Sequence, residues 1–505
     1  MQQVTGMDGV FLGMDASGAS SGVIGGLFVY EPCADPEAAG LTRLRARLQE
    51  RLAVIPPLRW VRAGLPVGVN NSYWTEADEV DVAAHTRELT IPAPGGEQEL
   101  LDLVARIVQE PMDHGRPLWD FTVLGGLADG RMAHVIRLHH SMLDGGVVPL
   151  LIDLLSDDPS AAVDPEEAPG PRYAVRPSTT ELAARGLVSS ALSPVRFGLL
   201  TAKTAAYLVE RTRHEGVAAV PAYVGRLLPG RLGAPLRGLA NARQRARGEK
   251  DVAPIFPTVT QRASPFNGTI TTNRTLAISQ RPLAHFKDLA KSFGVTLNDV
   301  VVAACAGALR GYSLELGLTP TEPIIVSVPY SLRTGEESER WANHLGVLMA
   351  ELPVQLSDPA DRLRTVHAQL RGARETFDTL PVGLIREAST FVPQAFWRAS
   401  IALLQHSPDW IPSANWNVVV SNVRGPTRPL SICGAPLQGY WPAPFLTPGI
   451  GLNITFQSYA DTVCFGFMAC TDLVPHVNEL PGLLDMAIED LYAVRPSIPP
   501  ARGHR

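Results

Sequence analysis

The sequence predicts an α/β protein with mixed α+β sheets, organised as two or three domains. Three observations carry this. The chain has 505 residues, and about 100–200 residues per domain gives two or three domains. Hydrophobic residues make up 45% and charged residues 19%, enough apolar material for large cores, and mean hydropathy is +0.06. Runs with helical spacing alternate with short β-branched runs, some in hairpin-like pairs and others joined by long crossovers, which is the pattern of mixed sheets.

The elements follow in order. VIGGLFVY (23–30) is strand-like. EQELLDLVARIVQE (97–110) places Leu100, Leu101, Val104, Ile107 and Val108 at helical spacing. Residues 121–125 and 132–140 read as strands. Residues 157–180 are rich in Pro, Asp, Glu and Ala and read as an exposed linker. The stretch 182–250 holds 12 basic against 3 acidic residues, a net of +9 inside a chain of net charge −6. Within it, Phe197, Leu200, Tyr207 and Leu208 share one helical face, and prolines at 194, 221, 229 and 235 are expected to break it into short pieces. A basic amphipathic helix of this kind either packs as a connector or lies on an anionic membrane surface. Residues 296–313 read as a buried helix, 323–329, 344–354, 417–422, 451–458 and 462–469 as strands, and 478–492 as a closing helix. The expected division is 1–160, a linker and basic connector at 161–260, a second domain at 261–495, and a tail at 496–505.

Composition excludes several function classes. The mild acidity, with pI near 6.1, lacks the basic footprint of a nucleic-acid-binding protein. The apolar fraction excludes intrinsic disorder. Five scattered cysteines without a CxxC pair argue against a disulfide framework or zinc ribbon and suit a reducing cytoplasm. The start, MQQVTGMDGVFLGMD, has no basic n-region and is not read as a signal peptide. No apolar run reaches the ~18 residues of a transmembrane helix.

Chemistry concentrates in RMAHVIRLHHSMLDGGVVPLLIDLL (131–155). A strand leads into two histidines whose side chains must point to opposite faces, so His139 and His140 cannot share one task. A histidine at a strand end is suited to general-base work, because its ordinary pKa of about 6.5 lets it accept a proton near neutrality. Asp144 would orient His140, or close the loop by pairing with an arginine, or simply cap a helix beginning near Gly145. No third ligand at recognisable spacing supports a metal site. Thr296-Leu-Asn298-Asp299 has capping-box spacing. A lone Trp119 is by default a core anchor, and Arg333 a strand-end arginine within reach of a partner such as Asp144. Asn422 and Gly425–Pro426 mark a turn. Gly18-Ala-Ser20-Ser-Gly22 formally matches a nucleophile elbow, but it precedes a strand, which is the wrong order. His214 lacks the second histidine of a zinc protease, and there is no Walker A loop.

HHSMLDG matches the HHxxxDG motif of the CoA-dependent acyltransferase superfamily. The wider block PLWDFTVLGGLADGRMAHVIRLHHSMLDG resembles the signature of the bacterial wax ester synthase/diacylglycerol acyltransferase family. MDGVFLGMD is similar to the family's opening. TLNDVVVAACAGALR, SVPYSLR, NHLGVLMAELPVQLSDPADRL and VVVSNVRGPTRPL resemble its later blocks, in order, over about residues 7–490. Two positions depart from it: Arg424 stands where the family has proline, and Ala342 where it has glycine.

The resemblance implies two chloramphenicol-acetyltransferase-like halves forming a pseudo-dimer around an interfacial site. It implies transfer of a long-chain acyl group from acyl-CoA to diacylglycerol or a long-chain alcohol, without cofactor, metal, nucleic acid or covalent intermediate. His140 would be the base, His139 a support, and Asp144 and Gly145 would shape the loop. Trp119, Asn298, Asp299 and Arg333 would contribute to substrate binding. A cytoplasmic enzyme peripheral to the inner membrane face or to lipid droplets is expected. The same superfamily also holds polyketide- and peptide-type acyltransferases fed by carrier proteins, and a lipid-binding protein with a decayed site is the non-enzymatic alternative.

Overall fold

Two six-stranded sheets organise the chain. The computed structural model describes residues 2–4, 7–15, 18–35, 37–63, 72–143, 145–159, 178–215, 264–331, 345–378, 394–406 and 416–496, with single positions 235, 238, 242 and 341. Its strands are β1 (Gln2–Gln3), β2 (Val23–Tyr30), β3 (Trp60–Ala63), β4 (Tyr73–Glu76), β5 (Thr86–Thr90), β6 (Trp119–Gly125), β7 (Ala133–His139), β8 (Arg274–Pro282), β9 (Ile324–Ser331), β10 (Leu345–Leu352), β11 (Val418–Val423), β12 (Ser431–Ile432), β13 (Ala435–Ala443), β14 (Leu452–Tyr459) and β15 (Thr462–Cys470). The helices are α1 (Met7–Met14), α2 (Leu41–Arg51), α3 (Glu97–Gln109), α4 (Val148–Leu155), α5 (Thr179–Glu215), α6 (Leu283–Phe293), α7 (Leu297–Glu315), α8 (Pro359–Asp378), α9 (Gln394–His406) and α10 (Leu480–Ala493).

The first sheet has the order β12-β13-β2-β7-β6-β5 and the second β10-β9-β11-β14-β15-β8, while β1, β4 and β3 form a small third sheet. Both large sheets are mixed. β5 runs parallel to β6 in one, and β11 runs parallel to β9 and β14 in the other.

One core covers the first sheet and takes in Leu276, Cys464, Met468 and Cys470 of β8 and β15, a second belongs to the second sheet, and the helices follow from apolar spacing. In α3 the five expected apolar residues are all buried, each contributing roughly 1.5–3 kcal/mol. α3 lies between the sheets, touching β2, β7 and β13 of one and β8 of the other. α7 is buried along most of its length and begins in a capping box. Thr296 Oγ1 accepts the Asp299 amide at 3.2 Å, and an Asp299 carboxylate oxygen accepts the Thr296 amide at 2.9 Å.

β12 and β13, from late in the chain, complete the first sheet by pairing with β2. Two expectations need correction. Pro194 lies inside the 37-residue helix α5 and does not end it. Flanking Ala- and Leu-rich turns carry the helix across the ring's cost of about 3 kcal/mol. The helix expected near Gly145 starts at Val148, after a turn. The prolines at 221 and 229 lie outside the described residues.

Candidate active site

The site grows from the end of β7. This central strand is buried along its whole length, so its polar side chains must find partners. His134 lies between Tyr30 Oη at 2.8 Å and the Ala39 carbonyl at 2.6 Å. Arg137 holds Asp120 in a bidentate pair and donates to the carbonyls of Ile107 and Glu110. His139 and His140 then diverge, as strand parity requires.

His139 is fully buried. Its Nε2 donates to Asp15 Oδ2 at 3.0 Å, and its Nδ1 accepts the Ser141 backbone N–H at 3.2 Å and lies 2.6 Å from Ser141 Oγ. The backbone N–H fixes Nδ1 as an acceptor, which leaves the proton on Nε2. Both nitrogens are therefore engaged, and His139 is a poor shuttle for a substrate proton.

Asp15, just beyond α1, is the centre of this network. Its Oδ2 also receives His114 Nε2 at 2.8 Å, and its Oδ1 accepts Ser21 Oγ and the Gly22 N–H, each at 2.9 Å. Burial pushes the Asp15 carboxyl up. The hydrogen bonds from His114, His139 and the Gly22 amide outweigh this and hold it far below the usual carboxylate range. Gly22 is required here by close approach: a Cβ would stand 2.6 Å from the Phe11 carbonyl oxygen and 2.9 Å from the His139 ring.

His140 follows in the turn, its amide donating to the Gly22 carbonyl at 2.8 Å. Its ring is 8% exposed. It stacks on Phe11 of α1 with centroids 4.3 Å apart and planes at 12°, and meets Phe445 edge-on at 5.9 Å and 89°. Phe11, Met14, Phe445 and Ile401 of α9 form a small apolar cluster apart from the two sheet cores. The imidazole is thus bracketed between Phe11, from the chain's start, and Phe445, from its last quarter.

The second half also reaches the HH loop. An added Cβ on Gly145 would stand 3.1 Å from Val423 Cγ2, at the end of β11. The neighbouring Asn422 donates from Nδ2 to Asn298 Oδ1 at 2.9 Å. His140, Gly145 and Asn298 are therefore joined by a short series of contacts across the two sheets. Asp299 turns elsewhere, capping α7 and accepting His367 Nδ1 of α8 at 2.8 Å. Asp144 and Arg333 lie outside the described residues, as does Ala342.

Trp119 is a core residue whose indole N–H donates to the Leu58 carbonyl at 2.8 Å and whose ring stacks on His85. It also borders a cavity of about 220 Å³ with Arg87, Glu110, Asp120 and Arg137. His140 does not line that cavity. Ser20 is buried in the loop that precedes β2, against the order of a nucleophile elbow. Among the described residues, no group of three His, Cys, Asp or Glu side chains is placed to hold a metal ion.

Sequence reasoning missed Asp15, His114, Ser141, Phe11 and Phe445. Phe11 and Asp15 sit in the MDGVFLGMD block, which carried the resemblance without any role being read from it. His114 and Phe445 gave no local signal.

A strand-end histidine thus stands enclosed by apolar side chains beside two mixed sheets. The wax ester synthase/diacylglycerol acyltransferase catalytic-domain family model matches residues 4–301, and the WS/DGAT C-terminal-domain model matches residues 341–492. The chain belongs to this family and is an acyltransferase enzyme. One putative diacylglycerol O-acyltransferase of Mycobacterium tuberculosis is 29% identical, covering 100% of this chain and 93% of that one. A second from the same species is 31% identical, covering 93% and 94%. The solved wax ester synthase/diacylglycerol acyltransferase from Marinobacter aquaeolei VT8 shares the fold, with TM-score 0.63, 22% identity and coverage of 98% and 99%. So does the first condensation domain of the CDA synthetase, with TM-score 0.55, 14% identity and coverage of 98% and 97%.

Proposed function

We propose that this enzyme transfers a long-chain acyl group from acyl-CoA to the free hydroxyl of diacylglycerol, and also to long-chain alcohols, with His140 as general base. The observation that carries the reading is the division of labour between the two histidines. His139 has both ring nitrogens tied to Asp15 and Ser141, whereas His140 stands in the apolar bracket of Phe11 and Phe445.

An alcohol is a weak nucleophile until its proton leaves. His140 takes that proton as the alcohol oxygen forms its bond to the thioester carbonyl carbon. The tetrahedral intermediate collapses, the carbon–sulfur bond breaks, and the imidazolium returns the proton to the departing CoA thiolate. The products are an ester and free CoA, and no acyl–enzyme bond is needed. Apolar walls suit this step, because they exclude water that would otherwise compete as acceptor. The names of the Mycobacterium relatives support diacylglycerol as the acceptor.

The test is incubation of the purified protein with labelled palmitoyl-CoA and a panel of alcohols, read by lipid chromatography. Labelled triacylglycerol from diacylglycerol is the expected product, and His140→Ala should abolish it. Unchanged turnover in His140→Ala would refute the base assignment. Transfer only from a carrier-protein thioester would move the enzyme to the peptide-type branch, and inactivity of the wild type toward every donor and alcohol would point to a lipid-binding protein.

A further inference from the structure

Asp15 accepts four hydrogen bonds, from His114, His139, Ser21 and the Gly22 amide. A carboxylate offers about four acceptor positions, so this one is full. Yet Arg62 of β3, partly buried, stands within the field of Asp15 and of a second cation, Arg398 of α9. Burial lowers the pKa of Arg62, the Asp15 charge raises it, and the Arg398 charge lowers it again. Among the described residues, neither arginine has a hydrogen-bond or ion-pair partner. Other arginines of the same region do: Arg59 holds Glu76, Arg87 holds Glu110 and Arg137 holds Asp120.

The packing shows where the two cations stand. α9 lies against α1, and its Ile401 packs with Phe11 and Met14. Arg398 is exposed and precedes Ile401 by three residues, so it lies on nearly the same side of α9. Asp15 follows Met14 directly. Arg62 and Arg398 therefore flank the end of the helix whose Phe11 faces the His140 ring. Two guanidiniums beside one saturated carboxylate leave a positive charge uncompensated. Partial burial makes that charge costly, and an arriving anion relieves the cost.

The reaction selects the anion. The acceptor alcohol and the product ester carry no negative charge. The thioester donor does, in the phosphate at the far end of its pantetheine arm. That arm holds the phosphate well away from the sulfur, which suits cations set beside Asp15 rather than against His140.

We propose that Arg62 and Arg398 together form the phosphate site of the acyl donor, holding its pantetheine arm so that the thioester reaches His140. This rests on the reading of the enzyme as a thioester-dependent acyltransferase. CoA and a carrier-bound phosphopantetheine share the phosphate chemistry, and a short series of ligands separates them.

The experiment is calorimetric titration of the full-length protein with CoA, 4′-phosphopantetheine and pantetheine. Wild type should bind CoA at least about tenfold more tightly than pantetheine, and less tightly as salt rises. Arg62→Gln and Arg398→Gln should each weaken CoA binding by about tenfold, and the double variant should bind CoA no better than pantetheine. Arg62→Lys, which keeps the charge, should retain part of the preference. Thermal melts should show no loss in Arg62→Gln, whose guanidinium has no partner to lose. Tighter binding of CoA than of 4′-phosphopantetheine supports the site with CoA as the donor, and equal binding supports it with the pantetheine phosphate as the group held. The proposal is overturned if wild type binds CoA and pantetheine equally, or if the double variant keeps the preference for CoA. It is also overturned, with the function intact, if palmitoyl-CoA is turned over with the same KM by wild type and both single variants. Arginine-dependent CoA binding by a protein that transfers no acyl group would overturn the functional reading and leave the phosphate site standing.

Discussion

Asp15 and His139 are 124 residues apart in sequence and share a hydrogen bond of 3.0 Å at the base of the site. The same carboxylate holds His114, Ser21 and the amide of Gly22. It therefore couples α1, which carries Phe11 against His140, to the strand that carries the histidine pair. Asp15→Asn should lower stability by about 2 kcal/mol and lower acyl transfer as well, since Phe11 loses its anchor. The pH dependence gives a second reading. A carboxylate whose folded pKa is depressed stabilises the protein fully above its unfolded value near 4, and that contribution is lost as pH falls below it. Melting temperature should drop more steeply below pH 4 in wild type than in Asp15→Asn. Equal slopes would dismiss the network as a source of stability.

Phe11 supplies the flat apolar face against the His140 imidazole. Phe11→Ala should reduce kcat by on the order of tenfold through loss of positioning, whereas Phe11→Tyr should retain most activity. Steady-state kinetics on both variants decide this, and an unchanged kcat in Phe11→Ala would show that the stacking is dispensable.

His134, at the opposite end of β7 from the site, titrates in a different window. Burial lowers its pKa to about 4, against about 6.5 in an unfolded chain. The unfolded state thus binds the extra proton between those values, so stability is full above about pH 6.5 and falls as pH drops toward 4. The loss is roughly 3 kcal/mol for a shift of this size. A calorimetric pH series should show this decline in wild type and a flatter one in His134→Gln.

Trp119→Phe tests whether this residue serves the core or the substrate. It removes the indole donor to the Leu58 carbonyl, a loss of about 2 kcal/mol when the acceptor stays buried. Thermal melts should record that loss while KM for acyl-CoA stays unchanged. A raised KM at constant stability would return Trp119 to the substrate channel.

Gly425→Ala and Gly198→Ala should act in opposite directions. A Cβ at Gly425 would lie 1.7 Å from the Ser458 carbonyl oxygen, whereas one at Gly198 meets nothing within 4 Å. The first should cost about 3 kcal/mol or more, and the second should gain roughly 0.5–1 kcal/mol as an exposed helical glycine replaced by alanine. Chemical denaturation of the two variants measures both.

Much of this was legible locally. Periodicity located α3, α7 and β7, because each buries a face whose spacing matches its geometry. Parity separated His139 from His140 before any contact was known. Capping-box spacing marked the start of α7 at Thr296. The partners were not legible. Asp15 and His114 reach His139 across the fold, and Phe445 reaches His140 from the second half. No window of sequence joins such residues. Pro194 was misleading because a single proline is costly but not prohibitive in a long run of helix formers.

The pairing of β13 with β2 has a consequence for how the protein is made. β2 is complete by residue 30, yet the strand that covers its free side ends at residue 443 of 505. At about 5–20 residues per second, roughly 20–80 s of synthesis separate the two. During that interval the nascent chain presents an unpaired, apolar strand edge, the kind of surface that invites aggregation. Full-length translation is therefore a condition for closing the first sheet. Truncation before β13 should give an insoluble or chaperone-bound product even though every residue of the histidine motif has been made.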